Sequence, residues 1–282
     1  MGNNIKIFII GHKAFDIPES TILAPIQAGA AINEPVVGLM QDNQGEHISD
    51  KNVYYCELTA QYYVVKNEDA DYYGFFHYRR YLNFSGKTSN KPYVYYTGEI
   101  ADLGAFINID DAQSVILNYD LLLPRPENLY KTPYEHYVNS TQHEDKKALE
   151  SVLDIVDEFY PQMRDAIKDY MFKNTEHFFC NIYIMKKNLA NEYLEFLVKV
   201  FTEFDKRYNS MRPRTQGFLA ERLFGVFFYH KRKDKGFQYK YLQRVDVLHY
   251  FDKKAIRKIA YKLLPPSSKL RAFVKSALKT SV

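Results

Sequence analysis

The sequence predicts a mixed α/β domain, a largely parallel sheet with helices on both faces. Three features carry that prediction. Short apolar runs rich in β-branched residues recur along the chain, longer segments with apolar residues at three-and-four spacing lie between them, and the two kinds alternate as far as about residue 230. A continuous apolar run needs cover on both faces, which is the condition of a strand inside a parallel sheet. At 282 residues, 46% hydrophobic and 26% charged, the chain is long enough to bury roughly 70–75% of its surface, either as one large domain with a tail or as two domains.

Taken in order, residues 5–10 read as a central strand, and Gly11-His12 ends it where backbone can approach a ligand closely. Residues 36–40 read as the second strand, followed by the turn-rich loop Gln41-Asp42-Asn43-Gln44-Gly45-Glu46. Ser49-Asp50 can cap a helix that starts near Lys51 and runs through Lys66, with Val53, Cys56, Ala60 and Val64 on its apolar stripe and Glu57 beside it. Residues 71–81 begin as a buried strand and end in the abrupt polar cluster His77-Tyr78-Arg79-Arg80-Tyr81. Residues 119–123 form a strand ahead of Pro124, and residues 144–172 are helical on both sides of Pro161. Residues 178–185 read as a strand interrupted by Asn181. A helix follows with Leu189, Tyr193, Phe196, Val200 and Phe204 along one face, then another around residues 216–229.

Charge divides the chain unevenly. The whole carries 38 basic and 34 acidic residues, but nine of the basic residues and only Asp252 among the acids fall in 251–282, so a mildly acidic body of 1–250 carries a strongly basic tail. In that tail Ala255, Ile259 and Leu263, then Leu270, Phe273, Val274 and Ala277, lie opposite lysines on two helical segments around Pro265-Pro266. Such segments suit an anionic membrane surface, and packing onto the body with a solvated lysine face is the alternative. Nucleic acid is not an expected partner, because the basic region is poor in interleaved aromatics. Residues 1–13 lack a signal-type apolar segment, and no run approaches the ~18–20 apolar residues of a membrane span. The expected location is cytoplasmic, peripheral on the inner face of the membrane. Cys56 and Cys180 belong to no metal or redox spacing and read as buried thiols. The 25 tyrosines and 20 phenylalanines, with no tryptophan, suit a core and also a sugar-lined cleft.

Three clusters can carry chemistry. His77, Arg79 and Arg80 follow an apolar strand, and on an extended strand His77 and Arg79 would share one face and Tyr78 and Arg80 the other. Paired guanidinium groups can neutralise a diphosphate; an ion pair with Glu57 or Asp42 is the alternative. Asn181 is an amide in a buried-looking strand and needs a partner, from the protein or from a sugar. Glu176-His177 just upstream offer an acid/base pair or a surface turn. Glu221-Arg222 lie in a strongly apolar helix, so a partly desolvated Glu221 is suited to take a proton, with an internal Glu–Arg pair as the alternative. No nucleotide-binding glycine loop, hydrolase serine or zinc motif is found. Asp69-Ala70-Asp71 precedes its strand, Asp110-Asp111 is read as helix capping, and no divalent metal is argued.

With Pro25-Ile26-Gln27-Ala28-Gly29-Ala30-Ala31, Asp42-Asn43-Gln44-Gly45-Glu46-His47-Ile48-Ser49, Lys51-Asn52, Tyr55-Cys56-Glu57-Leu58-Thr59-Ala60 and His77-Tyr78-Arg79-Arg80-Tyr81 in this order, the chain resembles a bacterial family. Phe179-Cys180-Asn181-Ile182-Tyr183-Ile184-Met185-Lys186-Lys187 and Gly217-Phe218-Leu219-Ala220-Glu221-Arg222-Leu223 extend the likeness. The family is that of the galactofuranosyltransferases of surface-polysaccharide assembly, long described as a domain of unknown function. The resemblance implies a GT-A-like fold, a UDP-sugar donor, UDP-galactofuranose first, and a lipid-linked glycan acceptor in capsule, exopolysaccharide or O-antigen synthesis. Transfer with inversion would then use Glu221 as base. Gly11, His12, Asp42, Asn43, Glu57, His77, Arg79 and Arg80 would lie toward the donor, and Glu176, His177, Asn181 and Arg222 toward the acceptor. Another UDP-hexose, or a non-catalytic glycan-binding or scaffold role, is the alternative.

Overall fold

The computed structural model describes residues 3–86, 89–139 and 145–248, so the basic tail lies outside the described residues. In chain order the elements are β1 (Ile5–Gly11), β2 (Leu23–Gln27), β3 (Met40–Gln41), α1 (Asn52–Tyr55), α2 (Leu58–Asn67), β4 (Tyr72–His77), β5 (Arg80–Asn83) and β6 (Tyr93–Tyr96). There follow α3 (Ile100–Ile107), α4 (Ala112–Ile116), β7 (Leu121–Pro124), β8 (Glu127–Asn128), α5 (Pro133–Val138) and α6 (Lys146–Phe159). The chain ends its described part with α7 (Arg164–Ile167), β9 (Glu176–His177), β10 (Tyr183–Lys186), α8 (Lys187–Arg207), α9 (Thr215–Lys231) and β11 (Tyr239–Val247).

β1 pairs in parallel with β2 on one side and β4 on the other. β10 runs antiparallel between β4 and β7, and β7 pairs in parallel with the first half of β11. Within the same sheet the second half of β11 runs antiparallel to β5 and parallel to β6, and these three strands form a wing. Alternation along β1 explains the two layers. Phe8 and Ile10 face the larger core with α2, α6, α8 and α9, whereas Ile5, Ile7 and Ile9 face a smaller core with α3 and α4. Full burial of each such side chain contributes about 1.5–3 kcal/mol.

The helix patterns hold where an apolar stripe met a single core. Leu189, Tyr193, Phe196, Val200 and Phe204 are all buried on α8, and α9 is apolar almost all round because it lies inside the core. The Pro161 break separates α6 from α7, with residues between them in a short 3-10 turn.

Other expectations need correction. The second strand is 23–27; residues 36–39 form a turn, and Val37 is 99% exposed. Pro25 is tolerated in β2 because β3 bonds only at Ile26 and Gln27, so β2 is an edge where Pro25 lies. The helix expected from 51 to 66 is broken at Cys56, whose φ of 53° cannot continue an α-helix, and Val53 is exposed. The break is held by Asn52 Nδ2, which donates to the Cys56 carbonyl at 2.7 Å. In 178–185 only residues from Tyr183 onward are strand, because Cys180 (φ 76°) and Asn181 (φ 47°) turn the chain. Asp110-Asp111 form a 3-10 turn before α4, with no side-chain cap bond.

Candidate active site

The carboxyl ends of β1 and β4 carry the cationic side of the site. β4 turns back directly into β5, so His77 and Arg80 are cross-strand partners and Tyr78-Arg79 form the corner. The expected alternation of these residues along one extended strand is therefore replaced by a hairpin. The corner is tied down on both sides: Tyr78 N–H donates to the Ile10 carbonyl at 3.1 Å, and Val247 N–H donates to the Arg79 carbonyl at 2.8 Å. Arg79 N–H also donates to His77 Nδ1 at 3.2 Å, which requires that nitrogen to be unprotonated. Around the buried Tyr78 ring stand Lys13 and Arg79, 5.7 and 5.0 Å from its centroid, with the His12 ring edge-on at 6.0 Å. Burial, then Arg80, Arg79, His12 and Arg214, hold the His77 imidazole down at about 2, so it is neutral within a positively charged surround. Burial also lowers His12, reinforced by Lys13 and Arg79.

The acidic side comes from the break between α1 and α2, the Cys180-Asn181 turn and the start of α9. Asn181 Nδ2 donates to Glu57 Oε1 at 2.8 Å and to the Gly217 carbonyl at 3.1 Å. Gln61 Nε2 donates to the Asn181 carbonyl at 2.8 Å, and Asn181 Oδ1 is buried with no partner. Burial pushes the Glu57 carboxyl above its ordinary range; the Asn181 bond opposes this and the Glu221 charge adds to it. Glu221 Oε1 accepts the Cys180 N–H at 2.6 Å, and Oε2 accepts from Arg222 Nη1 at 2.6 Å. Arg222 is buried, donates to the Phe218 carbonyl and meets His136 Nδ1 at 3.2 Å. Arg214, at φ 70° before α9, lies beside the Cys56 thiol; burial foremost, and then the Glu57 charge, push that thiol to about 12. Burial likewise pushes Cys180 to about 12.

The wing supplies a third side. Arg80 Nε lies 3.9 Å from Asp246 Oδ1, and Asp246 is gripped by Arg244 through two bonds of 2.7 and 3.0 Å. Arg244 also donates to Glu127 Oε1 at 2.7 Å.

These three sides bring His12, Glu57, His77, Arg79, Arg80, Asn181, Glu221 and Arg222 together. Four of the expected residues serve other ends, and a fifth stands apart. Gly11 ends β1 as a glycine because a side chain there would collide with the Phe15 ring. Asp42 is fully buried: its carboxylate accepts Gly29 N–H and Ala30 N–H at 2.9 Å and the Ser49 hydroxyl at 2.5 Å, so it is used up in holding the 28–31 turn. Asn43, next to it, accepts from Gln44 Nε2 at 3.1 Å in the exposed loop. Glu176 is exposed and His177 buried on one short strand, so they point apart and form no acid/base pair. His177 Nε2 instead meets the Lys131 carbonyl at 2.8 Å and its ring stacks on Phe179. Unforeseen members are Lys13, Arg214, His136, Arg244 and Asp246. Arg214 had a visible signal in Arg212-Pro213-Arg214 before a helix; Arg244 and Asp246 had none, since charged residues alternating on a strand read the same whether they face water or a cleft.

The strand end that would have to carry a divalent ion offers His77, Arg79 and Arg80 and no carboxylate. Among the described residues no three His, Cys, Asp or Glu side chains are grouped to hold a metal. No step below is routed through a metal. An apolar cavity of about 200 Å³ lies between α2 and α8, lined by Leu58, Phe75, Met185 and Leu197. It has none of the site's charged groups, and Gln61 links the two, accepting from the Tyr183 hydroxyl at 2.6 Å. Among the described residues no helix is long and apolar enough to cross a membrane.

A family model described as a domain of unknown function (DUF4422) matches residues 6–233. No curated protein matches the chain. Among solved structures, the apo structure of the WbbM bifunctional glycosyltransferase is similar, at 30% sequence identity and a TM-score of 0.80. The similarity covers 87% of this chain and 45% of that one, so the chain spans less than half of that protein's length.

Proposed function

The chain belongs to the family described as a domain of unknown function (DUF4422), and from that premise we propose that it is a glycosyltransferase moving a hexose from a UDP-sugar, galactofuranose first, onto a lipid-linked glycan in surface-polysaccharide synthesis. The observation that carries this reading is the set of cations Lys13, Arg79, Arg80 and Arg214 gathered around His12 and His77 at the carboxyl ends of β1 and β4, opposite the Glu57–Glu221 carboxylates. Ligands of open α/β sheets collect at strand carboxyl ends, and a diphosphate needs such positive charge. The likeness to a glycosyltransferase supports the same reaction class.

In the proposed step the acceptor hydroxyl oxygen forms a bond to the anomeric carbon as the bond from that carbon to the diphosphate oxygen breaks. UDP leaves with the electron pair, and Arg79 and Lys13 offset its developing charge. The hydroxyl proton passes to a carboxylate. The sequence favours Glu221 for that role, yet both Glu221 oxygens already accept from the Cys180 N–H and Arg222. Glu57 has the raised proton affinity a base needs, and Asn181 orients it, so we assign proton acceptance to Glu57 and orientation of the Cys180-Asn181 turn to Glu221.

The test pairs calorimetric UDP titration with UDP release and product NMR, on UDP-galactofuranose, UDP-galactopyranose and UDP-glucose. Glu57→Gln should lower transfer by about 10²–10⁴-fold with UDP affinity retained, and Glu221→Gln should lower it less. The reverse ranking returns the base to Glu221. UDP that neither binds nor is released from any donor sinks the transferase reading in favour of a glycan-binding role.

A further inference from the structure

We propose that the wing of β5, β11 and β6 is a saccharide subsite that takes a neutral hexose unit of the acceptor, stacked on Tyr95. It rests on the transferase reading for the word acceptor, and on the wing's own chemistry for the word saccharide. Register puts Tyr93 opposite Arg244 and Tyr95 opposite Asp246 on one face, whereas Val94, Val245 and Val247 turn to the smaller core. Tyr95 is 38% exposed, its ring 5.5 Å from that of Tyr93. A hexose ring presents C–H groups on one face and hydroxyls at its rim. A flat, half-exposed aromatic ring covers the first, and carboxylates beside it accept from the second.

The hydroxyl acceptors are in place. Asp246 and Glu127 are both held by Arg244, and Asp246 also faces Arg80; both Asp246 oxygens accept from Arg244, so a sugar hydroxyl would bond to their remaining lone pairs, which needs no proton transfer. Two cations against two anions leave no net charge on this face, which fits a neutral sugar better than a uronic acid. Burial, and then the hydrogen bond and charge of Tyr93 and the charge of Asp246, push the Tyr95 hydroxyl up to about 12. Arg80 ties the wing to the cationic corner: it is the cross-strand partner of His77, and its Nε lies 3.9 Å from Asp246 Oδ1.

The test uses lactose, N,N′-diacetylchitobiose and a rhamnose-terminated disaccharide against digalacturonic acid, with binding read by saturation-transfer NMR on the full chain. At least one neutral disaccharide should bind. Tyr95→Ala should weaken it about tenfold, Tyr95→Phe should keep it within about threefold, and UDP affinity should be the same in all three proteins. Preference for digalacturonic acid, no neutral disaccharide bound, or equal binding by Tyr95→Ala each overturns the subsite. Loss of UDP binding in the unaltered protein, with the disaccharide result intact, removes the transferase reading and leaves the subsite standing.

Discussion

His77 shows how a residue type misleads when its neighbours are unknown. As a histidine beside two arginines it reads as a donor-binding residue, but burial and four surrounding cationic or ionisable groups keep it uncharged, and its Nδ1 accepts the Arg79 N–H. Its work is to shape the corner that carries Arg79. The consequence is a pH dependence of stability whose sign follows from proton counts. An unfolded histidine titrates near 6.5, the folded one at about 2, so between those values only the unfolded chain binds the proton and stability is lost as pH falls through 6.5. Glu57 acts in the opposite sense: its raised folded value makes stability fall as pH rises above the ordinary glutamate range. His77→Asn keeps an acceptor near Nδ1 without a titrating group. Calorimetry from pH 6.5 to 5 should show a shallower loss of Tm in His77→Asn than in the native chain, and equal slopes would mean that His77 is not the group protonated on unfolding. At this scale the sequence exposed the residues that sit at abrupt changes of pattern, His77, Arg79, Arg80, Asn181 and Glu221. It could not expose Asp246 or Tyr95, whose strand looks like any solvated edge until β5 and β6 are seen beside it.

At the scale of elements, the site depends on the contact between α1 and α9. Gly217 packs against Cys56: a Cβ there would sit 3.1 Å from the thiol sulfur and 3.2 Å from the Cys56 Cβ. The same Cys56 holds φ 53° and ψ −129°, a backbone state that favours glycine and costs a side-chain-bearing residue about 1–3 kcal/mol. Gly217→Ala should therefore cost about 1–3 kcal/mol through overpacking. Cys56→Gly should raise stability by up to about 1 kcal/mol, the relief of strain being partly offset by the added freedom of the unfolded chain. Because Cys56→Gly also removes the atoms that the methyl group added by Gly217→Ala would meet, the double variant should lose far less than Gly217→Ala alone. Additive melting temperatures would show that the helices do not meet through this pair. The break at Cys56 was invisible in the sequence for a physical reason. Val53, Cys56, Ala60 and Val64 keep helical spacing across it, and the helix is interrupted by local bonds from Asn52 Nδ2 and the Thr59 hydroxyl to the Cys56 carbonyl. The positive φ values of Cys180 and Asn181 hid in the same way inside an apolar run that read as one strand. Elements with one long stripe and one core, such as α8, needed no such local device and were legible throughout.

For the whole molecule, charge is distributed unevenly along the chain. The body to residue 250 carries 29 basic and 33 acidic residues, while 251–282 hold nine basic residues and one acid. If the acceptor is lipid-linked, the enzyme must work at a membrane surface, and we propose that the tail supplies the attraction. Each basic residue near an anionic surface contributes about 1 kcal/mol, and the attraction fades beyond a screening length of about 8–10 Å. Sedimentation with vesicles of phosphatidylcholine and phosphatidylglycerol should recover the full chain at about 0.1 M salt and release most of it at about 0.5 M. Replacing the nine basic tail residues with glutamine should abolish recovery while leaving UDP affinity unchanged, since the cations proposed to hold UDP lie in the body. Recovery that survives the replacement would place the membrane contact on the body, and recovery by neutral vesicles at high salt would point to the apolar faces rather than to charge.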